Sequence, residues 1–409
     1  MIRLYYLLLL LMPFWNYPRL PKFGETWTVI KIIGAIVVVA AGFQALLYGS
    51  RARLLAWRES RLFLILLLWA ILSASTISRW EWAENPLTSC ISIAAYLYPT
   101  LIFLNTPETV YKASHWIIVS MLLASYSVFS QFVKYGVGRP GGVVGDPNYF
   151  ALVAVSMLPL CLLLLPTVQG AARLIFAVTA IAIIAATLLG ASRGGFISLI
   201  FCVGYLVFHG RHRVALLCAF GIVILALDRA LPHTPLDRLM AEDAGTRVST
   251  EIRKQLLKAG WEMIKTHPLA GVGLGMYKPL APEYNAALKA GGIGHNTYLE
   301  VAAELGAPAL ALFVAILWTA WRRARRTAEW FRCAGQPAAA RIARAVEAGI
   351  VGYAAGALFL SAQFAKQLWI LVWLGLALAR IAAEQQEQIE ATLVPEEPYA
   401  LQLGLALRR

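Results

Sequence analysis

Apolar runs of membrane-spanning length recur along almost the whole chain, and they restrict the possible folds more than any other feature. A helix needs about 20 apolar residues to cross the hydrocarbon core of a bilayer, and somewhat fewer when flanking side chains reach the interface. On that measure the sequence predicts about twelve spans. A lipid-exposed span must satisfy its own backbone hydrogen bonds, so each is expected to be an α-helix. The runs lie near residues 3–16, 27–48, 62–76, 88–104, 114–133, 148–166, 172–190, 195–209, 214–230, 296–320, 344–362 and 367–383.

The charge balance supports a membrane protein and argues against a nucleic-acid partner. Apolar residues make up 59% of the 409 residues and charged residues only 14%, which is too few for the surface of a soluble domain. The net charge is +14, but Lys and Arg lie mainly in short connections between apolar runs. Positive charge at such places is typical of cytoplasmic loops. We therefore predict an all-α polytopic membrane protein that is surrounded by membrane lipids and binds no nucleic acid.

The basic connections also predict an orientation. Arginines cluster after the second, eighth and tenth runs. Each cluster follows an even-numbered run, so all three lie on the same side of the membrane, provided that the short first run is a span. Placing that side in the cytoplasm satisfies the charge rule. It also places both termini in the cytoplasm. The predicted organisation is nine spans in residues 1–230, a large outer loop in 231–295, three spans in 296–383 and a cytoplasmic tail in 384–409.

The segment 231–295 is the one long polar stretch between apolar runs, and it carries eight Lys/Arg and six acids. Such a mixture suits a long translocated loop, which the charge rule does not restrict. Ser249 or Thr250 can cap an amphipathic helix that ends at Thr266, because Pro268 bars its continuation. We expect this helix to lie against the membrane surface or the ends of the spans. Its apolar stripe consists of Ile252, Leu256, Ala259 and Met263.

Three glycines alternate with apolar residues in the segment 271–275, which follows this helix. A dinucleotide or phosphate loop needs a preceding strand or a closing lysine, and neither accompanies these glycines. We therefore predict a tight glycine turn and no nucleotide site. Its backbone amides are candidates for holding an anion.

Histidine and arginine side chains near the outer ends of the spans are candidates for chemistry. His295 follows a glycine-rich run and opens the tenth span, so it can face an aqueous cleft, and its near-neutral pKa suits a general base. For an isolated histidine, an interfacial or capping role is the commoner explanation. Arg193 lies in a Ser-Arg-Gly-Gly turn, where a snorkelling arginine explains the sequence equally well. Arg139 lies in a turn-rich loop that ends in a helix cap, so a structural role is the default there.

The carboxylates of this region do not predict a second catalytic group. Nine residues turn a helix by about half a revolution, so Glu304 faces away from His295 and is expected to be a buried partner for another helix. The outer loops contain no paired carboxylates and no His/Cys cluster at metal-ligand spacing. Neither a two-carboxylate glycosidase nor a metal site is therefore predicted.

Several short motifs follow one another in the region 140–320. No single one is specific, but the ordered set is. The motifs are Asp146-Pro147-Asn148-Tyr149-Phe150, Ser192-Arg193-Gly194-Gly195, Arg253 before Leu257, His267-Pro268-Leu269-Ala270-Gly271-Val272-Gly273, and His295-Asn296-Thr297-Tyr298-Leu299-Glu300 with Ala303-Glu304-Leu305-Gly306.

This ordered set resembles the O-antigen ligase and polymerase superfamily of bacterial envelope glycosyltransferases. The first five spans match only as hydrophobic helices, and Leu257 stands where the family usually has a tryptophan. The resemblance implies a GT-C-like membrane enzyme that needs no metal and no cofactor. Such enzymes take a glycan from undecaprenyl diphosphate on the periplasmic face and transfer it to an acceptor sugar.

The resemblance also implies roles for particular side chains. Arg193 and Arg253 would hold the diphosphate, because forked guanidinium donors suit phosphate oxygens and stabilise the charge that develops as it leaves. His295 would accept the proton of the acceptor hydroxyl or position that hydroxyl, with inversion at the anomeric carbon. Further candidates for substrate binding are Arg139, Arg247 and Asn296.

The sizes of the outer loops favour one function within the family. Polymerases commonly have two sizeable periplasmic loops, whereas here 231–295 is large and 133–147 is short. We therefore expect an inner-membrane ligase that joins O-antigen from its undecaprenyl-diphosphate carrier to lipid A–core. A polymerase that extends the lipid-linked glycan and a protein O-oligosaccharyltransferase are the alternatives. A transporter of lipid-linked glycans is a non-enzyme alternative, although it would need polar residues deep in several spans.

Overall fold

The chain forms a bundle of helices in a computed structural model. Fourteen α-helices and one antiparallel pair of two-residue strands, Lys22–Phe23 with Trp27–Thr28, occur in the described part. The described residues are 1–15, 17, 22–23, 27–48, 54–136, 138–210, 213–230 and 244–393. The start of the predicted large loop, 231–243, and the end of the predicted tail, 394–409, lie outside them. The helices are α1 (Ile2–Leu11), α2 (Val29–Tyr48), α3 (Arg58–Ser75), α4 (Trp80–Phe103), α5 (Pro107–Tyr135), α6 (Pro147–Leu164), α7 (Gly170–Leu189), α8 (Arg193–His209), α9 (Arg213–Ala230), α10 (Ala244–Thr266), α11 (Tyr277–Tyr284), α12 (Thr297–Cys333), α13 (Pro337–Gly356) and α14 (Lys366–Leu393).

Most of each apolar run that was predicted to be a span is helical, although the run 344–362 is helical only as far as Gly356. By length and composition, 7 of the described helices can cross a membrane, namely α2, α4, α5, α6, α7, α12 and α14, and α1 and α8 are shorter apolar helices. This is consistent with a polytopic membrane protein. The predicted number of about twelve is not confirmed, because α3, α9 and α13 each contain three charged residues.

Small residues bring α6, α8 and α13 into close contact at the centre of the bundle. A Cβ atom on Gly349 would lie 2.3 Å from the carbonyl oxygen of Ser156, so only glycine allows α13 to approach α6 this closely. The Ser198 hydroxyl on α8 donates to the carbonyl of Gly352 on α13 at 2.7 Å. Close backbone approach and such interhelical bonds are the usual means by which helices associate in a membrane.

Helix α12 is interrupted at Gly306, which has φ 83° and ψ 172°. Pro308 has no amide hydrogen, so the carbonyl of Glu304 is left without its helical donor. The amide of Gly273 takes that place at 2.9 Å, and the glycine turn thereby docks into the kink. Three more bonds close the gap: Val272 N to Ala303 O, Ala307 N to Pro268 O, and Trp69 Nε1 to Leu305 O, each at 2.8 Å.

The predicted glycine turn is confirmed, since Gly271, Gly273 and Gly275 have φ of 71°, 113° and 76°. The expectation that its amides could hold an anion is wrong for four of them. The amide of Gly271 donates to a carbonyl at 3.0 Å and that of Leu274 to the Ser73 hydroxyl at 3.0 Å, while those of residues 272 and 273 bond to α12. These amides hold the turn on the bundle and are not available to a ligand.

The amphipathic helix of the large loop is α10, and it ends at Thr266 as predicted. It begins at Ala244, so the expectation that Ser249 or Thr250 caps it is wrong. No proline precedes these residues within the helix, and the chain is already helical when it reaches them. The predicted apolar stripe packs on the bundle except for Ile252, which is 50% exposed. Its buried members, Leu256, Ala259 and Met263, form a cluster with Tyr277, Ala281, Leu288 and Ala303.

Candidate active site

His295 lies in the sharp connection that leads into α12. Its φ is 52°, a value that side-chain-bearing residues rarely adopt. Two neighbours hold this backbone in place. The amide of Gly294 donates to the buried carboxylate of Glu300, and a Cβ atom on Gly294 would lie 2.8 Å from the Tyr277 hydroxyl oxygen. Thr297 fixes the other side, because its amide donates to the carbonyl of Leu360 at 3.0 Å.

A cavity of about 650 Å³ opens beside His295. All of its lining residues come from the same end of the bundle, where α1 and α5 end and α2, α4, α6, α12 and α14 begin. A cavity of this size can take a sugar or a diphosphate group. Its polar lining consists of Lys31, Asn85, Thr88, Ser89, Asp146, Asn148, Tyr149, His295, Ser361, Lys366 and Gln367.

The surroundings of His295 keep its imidazole neutral. The pKa of His295 is lowered from 6.5 to about 4, chiefly by burial and also by the positive charge of Arg253, while the negative charge of Asp146 opposes both effects. At neutral pH the ring therefore has a free lone pair that can accept a proton. A hydroxyl group bound in the cavity could lose its proton to this ring as it reacts.

Arg253 is the predicted arginine that the structure brings to His295. It lies on α10 three residues before Leu256, which is buried in the cluster that holds α10 on α12. Residues at this spacing share one face of a helix. Docking of the apolar stripe therefore also brings the guanidinium near enough to act on the charge of His295.

Arg193 is not one of the residues that line the cavity. It is the first residue of α8, and the Ser192 hydroxyl caps this helix by accepting the amide of Gly195 at 3.1 Å. A Cβ atom on Gly194 would lie 3.0 Å from the side chain of Leu360, which does line the cavity. The turn at Ser192–Gly195 thus contacts the same segment that anchors the start of α12.

The other predicted binding residues have structural contacts. Arg139 donates to the side chain of Asn148 at 3.2 Å and to the carbonyl of Gly190 at 3.3 Å, which joins the connection before α6 to the one after α7. The side chain of Asn296 caps α12 by accepting the amide of Leu299 at 3.0 Å. The side chain of Arg247 lies outside the described residues.

Two lysines of the cavity were not identified from the sequence. Lys366 is only 8% exposed, its Nζ lies 3.2 Å from the ring centroid of Trp15, and no carboxylate in the described part of the chain pairs with it. Lys31 lines the same cavity. The sequence nevertheless contains a feature that could have identified each of them as a candidate. Lys31 is the one charged residue of the run 27–48, and Lys366 is a basic residue in a connection predicted to be outside.

Asp146 has two roles in the structure, and its sequence motif indicated only the first, a helix cap. Its carboxylate caps α6 by accepting the amides of Asn148 at 2.8 Å and Tyr149 at 2.7 Å. The same side chain lines the cavity and raises the pKa of His295. The cap thus fixes a negative charge opposite the imidazole.

A family model described as O-Antigen ligase matches residues 175–314. No curated protein matches the chain. The matched segment contains Arg193, Arg253 and His295, together with the glycine turn and the kink that receives it. This match supports the resemblance to the O-antigen ligase/polymerase family that the ordered motifs indicate.

Proposed function

We propose that this protein is an O-antigen ligase, a glycosyltransferase that moves a glycan from undecaprenyl diphosphate to lipid A–core during lipopolysaccharide synthesis. The family includes ligases and polymerases. The observation that carries the proposal is the cavity beside His295, which combines a neutral imidazole with lysine side chains. A transfer from a diphosphate carrier needs these two things, a base for the acceptor and cations for the leaving group.

His295 is the proposed general base. A ring nitrogen takes the proton of the acceptor hydroxyl while its oxygen bonds to the anomeric carbon. The bond from that carbon to the diphosphate oxygen breaks from the opposite face, so the anomeric configuration inverts. Undecaprenyl diphosphate leaves with the bonding electron pair. Because the pKa of His295 is lowered to about 4, the ring is ready to accept a proton at any pH well above that value.

The diphosphate is proposed to bind where the cations meet the cavity. Lys31 and Lys366 line it, Arg253 acts on the charge of the imidazole, and Gly194, which follows Arg193, contacts the lining residue Leu360. A buried ammonium without an acid partner is costly unless an anion reaches it. Binding of the diphosphate would remove that cost at Lys366 and would neutralise the charge that grows on the leaving group.

The proposed setting is the bacterial inner membrane, with both termini in the cytoplasm and the His295 cavity on the periplasmic side. The basic connections support this orientation. The donor's long isoprenoid chain lies in the bilayer, so the cavity must be reached from the lipid as well as from the aqueous side. Its position at the ends of the helices supports such access.

The direct test mixes purified protein, undecaprenyl-diphosphate-linked glycan and lipid A–core in detergent, without added metal or nucleotide and with a chelator present. We expect a ladder of glycan on lipid A. Extension of the lipid-linked glycan in the absence of lipid A–core would instead identify a polymerase. If neither product forms with protein that is folded and monodisperse, the proposed activity is wrong.

A further inference from the structure

A second cavity, of about 470 Å³, lies at the opposite end of the bundle from His295. It is formed where α3 begins and where the later turns of α12 and α14 pass each other. We refer to it as the arginine cavity. Its lining consists of Trp57, Arg58, Glu59, Trp318, Thr319, Arg322, Arg323, Arg326, Thr327, Trp330, Ala379, Ala382, Ala383 and Gln386.

The arginine cavity has a large excess of positive charge. Its one carboxylate, Glu59, is 1% exposed and is bound by Arg323 at 2.7 Å. No ion pair within the described residues neutralises Arg58, Arg322 or Arg326. Three guanidinium groups around one cavity thus remain open to an anion, and their forked donors match the oxygens of a phosphate group.

Two arginines of the cavity lie against tryptophan rings. The guanidinium of Arg322 lies 5.9 Å from the ring of Trp318, and that of Arg323 lies 5.0 Å from the ring of Trp57. Contact with an aromatic face limits the positions that an arginine side chain can take. Arg322 is therefore partly ordered before any ligand arrives, which reduces the entropy lost on binding.

The position of the cavity along α12 is that of a membrane interface. From Thr297 to Arg322 the helix path is about 38 Å at about 1.5 Å per residue, and the hydrocarbon core of a bilayer is about 30 Å thick. Residues near Arg322 therefore lie at the level of lipid headgroups when the start of α12 lies at the other surface. Tryptophan is enriched at this level as well.

We propose that the arginine cavity binds the phosphate of an anionic membrane phospholipid. The lipid phosphate lies among Arg58, Arg322 and Arg326, and the glycerol part extends along the tryptophan rings and the alanines of α14. A free phosphate ion shares the same chemistry, but it would not use the aromatic walls. The site does not depend on the transfer reaction, because it lies at the opposite end of the bundle from the catalytic cavity.

The test titrates the purified full-length protein in detergent with phosphatidylglycerol and counts bound lipids by native mass spectrometry. Phosphatidylcholine with the same acyl chains is the neutral comparison. We expect one phosphatidylglycerol to bind more tightly than the rest, and phosphatidylcholine to bind without such a site. The double variant R322Q/R326Q should weaken that site by at least about tenfold, since two charge-assisted contacts are lost.

The matched control is R325Q/R332Q. It removes the same charge from the same stretch of α12, but neither arginine lines the cavity. The control should bind the lipid as the unmodified protein does, and R322K/R326K should bind more tightly than R322Q/R326Q. Equal weakening in both double variants would mean diffuse surface attraction and would overturn the site. Displacement of the lipid by millimolar inorganic phosphate would identify a free-phosphate site and would overturn the lipid assignment.

Discussion

The two ends of the bundle place charged groups in a cavity by different means. At the His295 end, the histidine lies on a short connection whose irregular backbone is held by specific hydrogen bonds, such as that from Gly294 to Glu300, and the cations around it lie on helices. At the other end, the arginines project from regular turns of α3 and α12. Side chains on a regular helix are enough to bring several positive charges together. A general base must be positioned precisely relative to the reacting atom, which calls for a tightly defined backbone.

The two ends also differ in burial, and burial changes what a charge can do. Lys366 is 8% exposed, and the pKa of His295 is lowered to about 4 chiefly by burial. Arg322 and Arg326 are exposed to solvent. Electrostatic interactions are stronger where water is excluded. We therefore expect substitutions at the His295 end to have larger effects than matched substitutions elsewhere, and four experiments test this contrast.

The largest effect is expected for His295→Ala. Removal of a general base typically lowers the rate by about 10²- to 10⁴-fold, so glycan transfer to lipid A–core should fall by that amount. The control is His267→Ala, an exposed histidine of the same loop that contacts Thr266 and Tyr284. Transfer is measured from initial rates with both substrates saturating. Full activity of His295→Ala would remove the proposed base.

The next effect concerns the backbone that supports the site. In Gly306→Ala the new Cβ atom would lie 2.1 Å from the carbonyl oxygen of Leu269, and φ is 83°. We expect a loss of roughly 3 kcal/mol of stability. The control at the other end is Gly335→Ala, where φ is 71° but nothing lies within 4 Å, so the loss should be about 1 kcal/mol. Thermal unfolding in one detergent compares the two; equal losses would contradict the docked kink.

A smaller effect is expected for Lys366→Met. The variant keeps the apolar stem and removes a buried cation, so the apparent affinity for the undecaprenyl-diphosphate donor should fall by about tenfold. The control is Lys254→Met on α10, where the ammonium is exposed and lies 3.9 Å from Glu251. Donor titrations at saturating acceptor give KM and kcat separately. An unchanged donor KM in Lys366→Met would exclude this lysine from diphosphate binding.

The smallest effect is a pair of opposite shifts in the titration of His295. Because Arg253 lowers the pKa of His295, Arg253→Gln should raise it towards 6.5; because Asp146 raises that pKa, Asp146→Asn should lower it below about 4. Each shift should be about one unit. Asparagine still caps α6, so the fold is kept. The pH dependence of diethylpyrocarbonate modification, followed on the His295 peptide, measures the neutral ring without relying on activity. Shifts of the same sign would contradict the proposed arrangement.

Much of the fold could be predicted because helices that cross a membrane appear in the sequence as long apolar runs. Most of each apolar run is helical, and α10 ends at Thr266 before Pro268 as proline chemistry requires. The start of α10 was misplaced, since several residues before Ser249 can also be helical and none of them forces a boundary. The number of spans is less well predicted, because the charges of α3, α9 and α13 are compatible with more than one depth in a membrane.

The candidate site was only partly predictable. His295 and Arg253 belong to motifs in one matched segment, so order along the chain was enough to select them. Lys31 and Lys366 come from helices near the two ends of the chain, and only packing brings them to the same cavity. Contacts between residues so distant in sequence depend on how the helices pack, and local sequence patterns do not predict that packing.

By itself, the sequence determined the helical membrane class, the resemblance to one family and the candidate histidine, because hydropathy and short motifs are local properties. Only the tertiary structure decided which cations reach His295, and it assigned the amides of the glycine turn to the kink at Gly306. It also placed Arg322 and Arg326 around a second cavity. The physical reason is that burial and electrostatic coupling depend on distance in space, which helix packing sets and separation along the chain does not.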